Sequence, residues 1–121
     1  MTGHVIFAHG SPIESANEAV RAVAAQAAQD GGFALYETAF LEGGRPSLAE
    51  AVASLAERGA SEIVVIPYFL TLGLHLQRDL PRLVRELEVK TPGVHLLVTP
   101  PLDGHPGLSA MLVDRAREAR S

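Results

Sequence analysis

Cysteine is absent from this 121-residue chain. Disulfides, thiolate metal sites and thiol nucleophiles are therefore excluded, and a cytoplasmic setting is expected. Tryptophan is also missing and aromatic residues make up only 5%, so Phe40, Tyr68 and Phe69 read individually as core side chains rather than as a ligand platform. No basic run is present. Ten Lys plus Arg against fourteen Asp plus Glu leave a formal charge of −4, which argues against a nucleic-acid partner. The longest apolar run, residues 63–70, is too short to span a bilayer. The opening residues lack the basic start and long apolar stretch of a signal peptide. No membrane partner is expected.

What is there is ordinary globular material: 47% hydrophobic and 20% charged, enough for one domain with a real core. The pattern alternates strand and helix. Val5-Ile6-Phe7-Ala8 reads as a strand ending in His9-Gly10-Ser11-Pro12. Ala16, Ala19, Val20, Val23, Ala24 and Ala27 recur at helical spacing until Asp30-Gly31-Gly32. A second strand covers 34–41, followed by the loop Glu42-Gly43-Gly44-Arg45-Pro46. Ser47 and Glu50 then form a capping-box signature ahead of a helix that stops at Gly59. Ile63-Val64-Val65-Ile66 is apolar on both faces, as a covered parallel strand should be. A loop over 68–75 leads to a helix expected to start with Asp79 as N-cap and Pro81 in its first turn. Residues 94–98 give a fourth strand, and Leu108, Met111, Leu112 and Ala116 a last helix. Four such units predict an α/β fold: a single three-layer α/β/α domain, residues 1–121, built on a four-stranded parallel sheet.

In open parallel sheets, ligands bind outside the carboxyl ends of the strands. The four loops at that edge carry His9, Glu42, His75 and His105. His4 and His95 fall at the opposite ends and read as structural. Two imidazoles and a carboxylate on one edge suit a borderline divalent metal or proton transfer. Taken singly, each histidine reads equally well as a polar surface residue; their common edge favours a site. Gly10 and Gly73 would let backbone come close to a ligand. Ser11 belongs to neither a P-loop nor a G-x-S-x-G elbow, and reads as a cap or turn residue.

These segments, taken together, resemble a known family. His9-Gly10-Ser11, Ala39-Phe40-Leu41-Glu42 with Pro46-Ser47-Leu48, residues 67–75 (PYFLTLGLH) with Asp79-Leu80-Pro81, and Pro101-Leu102-Asp103-Gly104-His105-Pro106 occur in the order seen in the small sirohydrochlorin cobaltochelatases of the short CbiX type. That resemblance implies a class II tetrapyrrole chelatase. Such enzymes insert a divalent metal into sirohydrochlorin without ATP and without an organic cofactor, Co²⁺ first, with Ni²⁺ and Fe²⁺ as alternatives. By the motif match, His9 and His75 would bind the metal and Glu42 would act beside them. His105 lies in a matching motif with either a metal or a loop-fixing role. Family members often carry a cation after His-Gly-Ser, where this chain has Pro12. Arg45, Arg78 and Arg82 are candidates to meet substrate carboxylates in its place, with Ser11 completing the substrate-binding set.

The larger class II chelatases have two such lobes across a cleft. A chain supplying one lobe implies a homodimer. Two rival readings remain open: a metal- or tetrapyrrole-binding module without turnover, and a histidine-phosphatase-like phosphoryl transferase. The latter usually wants a cation beside the histidine, where this chain has Ala8.

Overall fold

In the computed structural model, which describes residues 1–120, strand and helix alternate four times. The elements are β1 (Thr2–Ala8), α1 (Glu14–Gly31), β2 (Leu35–Phe40), α2 (Leu48–Glu57), β3 (Glu62–Tyr68), α3 (Leu74–Lys90), β4 (His95–Val98) and α4 (Pro106–Glu118). The strands form one parallel sheet in the order β2-β1-β3-β4. This is the α/β architecture expected from the sequence. The central strand β1 sets Val5 opposite Glu37 on one side and Val65 on the other. It is apolar because helices shield it, with Val5, Phe7 and Ala8 all buried.

The main core lies between the sheet and the α2–α3 layer. Val5, Phe7, Ile63 and Val65 from the strands meet Leu48, Val52, Leu55, Leu80, Val84 and Leu87 from the helices. Each such side chain contributes about 1.5–3 kcal/mol when fully buried. Helix α2 starts where its capping box places it. Ser47 Oγ accepts from the Glu50 amide at 3.2 Å, and Glu50 Oε1 accepts from the Ser47 amide at 2.9 Å.

Three elements depart from the sequence reading. Helix α3 begins at Leu74 with Gly73 at its cap, so Asp79 is no N-cap but an interior residue paired with Arg82 at 2.6 Å. Pro81 then stands inside the helix, where it forgoes one backbone hydrogen bond. The helix persists because Leu80, Val84 and Leu87 anchor it to the core. Helix α1 turns Asn17, Ala24 and Ala28 inward, while Ala16, Ala19 and Val23 are exposed. An alanine-rich helix is weakly apolar all round, so its spacing did not single out one face. Helix α4 buries no residue at all; Met111 is 53% and Leu112 72% exposed. The third layer is therefore thin on the α4 side.

The two off-edge histidines are structural, as expected. His4 stacks on Phe33 with ring centroids 3.8 Å apart, and burial lowers its pKa against the raising influence of Glu62. His95 Nδ1 lies 2.9 Å from Glu88 Oε2, which also accepts from the Leu96 amide at 2.8 Å and so ties α3 to β4. No helix among the described residues is long and apolar enough to cross a membrane.

The capping box has a consequence in acid. The Ser47 amide, and after it the Arg45 guanidinium, hold the Glu50 carboxyl down to about 2 from an ordinary 4.5. A depressed carboxyl stabilises the fold above its unfolded value and loses that contribution as pH falls through the folded one. Urea midpoints measured from pH 4.5 to about 2 should therefore fall less steeply in Glu50→Gln than in the wild type. Equal slopes would show that the box contributes nothing to acid stability.

Candidate metal-handling site

Strands β1 and β2 are neighbours, and their ladder runs on beyond their ends. The Leu41 amide donates to the Ala8 carbonyl at 2.9 Å and the Glu42 amide to the His9 carbonyl at 3.0 Å. The β1–α1 and β2–α2 loops are thereby pressed together, and two glycines make the approach possible. Gly10 has φ +89, and a Cβ there would lie 1.7 Å from the Glu42 carbonyl oxygen. Gly43 has φ +70, and a Cβ there would lie 2.8 Å from the Ser11 carbonyl carbon. Gly10 thus serves the contact between loops. Gly73 has open space around it and acts as the cap of α3.

A residue that the sequence reading passed over completes the junction. Asn17, on the first turn of α1, is 1% exposed. Its Oδ1 accepts from the Ser11 amide at 3.0 Å, and its Nδ2 donates to the carbonyls of Ser11 at 2.8 Å and Gly43 at 3.0 Å. The signal available in sequence was an amide side chain at the start of an alanine-rich helix, just after a glycine turn.

The junction sets His9 against Glu42, Nε2 to Oε1 at 3.6 Å, with both side chains well exposed at 60% and 71%. His9 Nδ1 lies 3.2 Å from the Gly10 carbonyl. A carbonyl only accepts, so Nδ1 carries the hydrogen, and in the neutral ring Nε2 holds the lone pair. Two electron-pair donors then face each other across a short gap. That arrangement is satisfied by a cation: a proton, or a metal ion. Phe69 supports the ring edge-on at 6.4 Å and is itself held against Phe7 at 6.0 Å. Tyr68 lines a recess of about 240 Å³ with His9, Gly10, Ser11 and Asn17. Phe40 is core, whereas Tyr68 is part of the site's wall.

His75 stands on the first turn of α3 rather than in a loop. Its Nδ1 is 3.3 Å from an Arg78 nitrogen. A guanidinium only donates, so here Nδ1 holds the lone pair and Nε2 the hydrogen, the reverse of His9. A metal reaching Nδ1 must displace Arg78; one reaching Nε2 must displace a proton. Among the described residues, no three His, Asp or Glu side chains are gathered closely enough to hold a metal ion. The expected trio is therefore a formed pair, His9 and Glu42, plus a separate imidazole on the first turn of α3.

His105 has a different task. It is the N-cap of α4, its Nδ1 accepting from the Gly107 amide at 2.8 Å. Ser11 Oγ accepts from the Ile13 amide at 3.0 Å, the turn role anticipated for it. The candidate cations already have partners: Arg45 pairs with Glu50, Arg82 with Asp79, and Arg78 with His75 and, at 4.0 Å, Asp79. These surface pairs are weakly held in water, so an incoming carboxylate can replace the partner at little cost.

The chain is thus an α/β protein with an exposed imidazole–carboxylate pair at the carboxyl edge of its parallel sheet. The CbiX family model matches residues 3–119, and the chain belongs to the CbiX family. It is 31% identical to a sirohydrochlorin cobaltochelatase of Sulfolobus acidocaldarius, over 100% of this chain and 94% of the relative. A CbiX protein of Marinobacter aquaeolei VT8, described as a cobalamin biosynthesis protein, superposes with a TM-score of 0.87 at 27% identity over the whole of both chains. The sirohydrochlorin chelatase SirB of Bacillus subtilis subspecies spizizenii, solved with cobalt, shares the fold at a TM-score of 0.88 and 19% identity; the match spans 97% of this chain and 50% of SirB.

The capping role of His105 is testable. Asn also caps helices well, so His105→Asn should keep the amide of Gly107 protected in hydrogen exchange and leave Co²⁺ uptake unchanged. His105→Leu should expose that amide. Loss of Co²⁺ uptake in the Asn variant would make His105 a ligand instead.

Proposed function

We propose that this chain inserts a divalent metal into sirohydrochlorin without ATP, the activity named for its CbiX relatives. Co²⁺ is the first choice, with Ni²⁺ and Fe²⁺ as alternatives. The observation that carries the reading is His9 Nε2 facing Glu42 Oε1 across 3.6 Å at the carboxyl edge of the sheet. The incoming metal ion, a substrate here, takes that gap. One imidazole and one carboxylate bind a borderline divalent ion firmly enough to strip some of its water, yet weakly enough to release it. A closed thiolate site would hold it too well.

Insertion exchanges one M²⁺ for two pyrrole N–H protons, with no net oxidation or reduction, so no organic cofactor is needed. Glu42 is the natural first proton acceptor once the metal moves on to the ring, since its carboxylate then loses its cation. His75 supplies the second imidazole. It becomes available when Arg78 leaves it, and a carboxylate of the macrocycle is the partner that draws Arg78 away. Arg45 and Arg82 can exchange their surface carboxylates in the same manner. The Ser11 hydroxyl keeps its hydrogen to donate to substrate. A cysteine-free chain of this kind suits the cytoplasm.

A flat tetrapyrrole needs more wall than one lobe gives, and the recess beside His9 is only about 240 Å³. We therefore propose a homodimer. Two features support it. The chain matches half the length of SirB, and Leu97, Met111 and Leu112 present apolar surface that a second copy would cover.

His75→Ala should slow cobalt insertion into sirohydrochlorin by more than about tenfold, read from anaerobic absorbance, with the circular dichroism of the fold unchanged. An undiminished rate would sink the assignment of His75. Sedimentation equilibrium should give twice the chain mass for the wild type and the single-chain mass for Leu112→Glu. A wild-type monomer at assay concentration would contradict the dimer.

A further inference from the structure

We propose that Asn17 is a positioning residue of this site, setting the separation and facing of His9 and Glu42 through the two loops that carry them. The proposal rests on the reading of His9 and Glu42 as the metal's seat. Asn17 makes its hydrogen bonds at the junction to backbone and not to either side chain. It holds the backbone of Ser11, two residues beyond His9, and that of Gly43, one residue beyond Glu42.

The physical case is one of rigidity. His9 and Glu42 are exposed and lie on loops, where long side chains ordinarily wander. Their backbones do not, because three hydrogen bonds from a single buried amide close the junction from below. Only a side chain with both an acceptor and two donors at that reach can do this; Asp offers no donor, and Ser is too short. The same amide group lies 2.9 Å from where a Cβ on Gly44 would sit, so the β2–α2 loop wraps tightly round it. Without Asn17, the Ser11 and Gly43 carbonyls would be left without their partner. The loops would then part to reach water. Parting them lengthens the His9–Glu42 gap, and it frees His9 Nδ1 from the Gly10 carbonyl, so the Nε2 lone pair is no longer fixed toward Glu42.

The test is Co²⁺ binding to the folded chain, followed by the visible absorption of the bound ion, together with the ring ¹⁵N shifts of His9 without metal. Asn17→Ser should weaken Co²⁺ binding by about tenfold to a hundredfold, the usual effect of losing a group that orients a ligand. Adding Glu42→Gln should weaken it little further, because the pair is already parted. The His9 ring shifts should move from a single tautomer to an average of two. Leu55→Ala, a core variant packed against Gly3 and Ala60 at the far end of β1, should change none of these readouts. Should Asn17→Ser fold poorly, Asn17→Asp, which keeps the size and the Ser11 acceptor, carries the same expectation for the His9 shifts. If His9→Ala and Glu42→Gln weaken binding but the Asn17 variants bind like wild type, or their losses simply add, the positioning role is overturned and the metal seat stands. If His9→Ala and Glu42→Gln leave Co²⁺ binding unchanged, the metal seat itself is wrong and the proposal falls with it.

Discussion

The buried amide of Asn17 closes the junction between the first two loops at the carboxyl edge of the sheet. β1 and β2 run side by side, so their following loops start 4.8 Å or so apart, the usual strand spacing. The glycines at 10 and 43 let the loops stay that close, and the side chain of Asn17 bonds to both loops, at Ser11 and at Gly43. The loops that carry His9 and Glu42, and the recess lined by Tyr68, all border that contact. A buried polar side chain is costly unless satisfied, and here three bonds turn that cost into a fixed loop pair.

This arrangement suits an enzyme whose metal is cargo. A resident metal would call for a closed set of ligands already in place. What the chain shows is an exposed pair, His9 and Glu42, together with an imidazole at His75 in contact with Arg78. On the proposed reading, a third ligand held back in this way would favour passage over retention. Arg45, Arg78 and Arg82 are held likewise, each on a surface partner.

Much of this was legible in the sequence, and the parts that were not share a cause. The α2 capping box is written in residues three apart, so Ser47 and Glu50 declared it. The strands announced themselves through apolar runs, and the edge rule placed His9, Glu42, His75 and His105 at the carboxyl ends of the strands and His4 and His95 at the other. Helix α3 was misplaced because Asp79 and Pro81 look like a local start signal, while its true start is decided by packing of Leu80, Val84 and Leu87 further on. The face of α1 was blurred by alanine on every side. Asn17 was invisible as a site residue because one of its partners, Gly43, lies 26 positions away and only the fold brings it near. The four helices were expected to cover the sheet, yet α4 buries nothing within one chain. A pattern of apolar residues reveals that a face will be covered, not by which molecule.

The small size of the chain is consistent with this. One lobe carries a complete loop junction and an incomplete enclosure, which is what a symmetric pair would share. The joint seating of the metal by His9 and Glu42 can be read by anomalous diffraction at the cobalt edge from crystals soaked in Co²⁺. A peak is expected in the gap between His9 Nε2 and Glu42, within bonding distance of both, at about 2.0–2.2 Å. A peak bound by other residues, with His9 and Glu42 still facing each other across an empty gap, would contradict it.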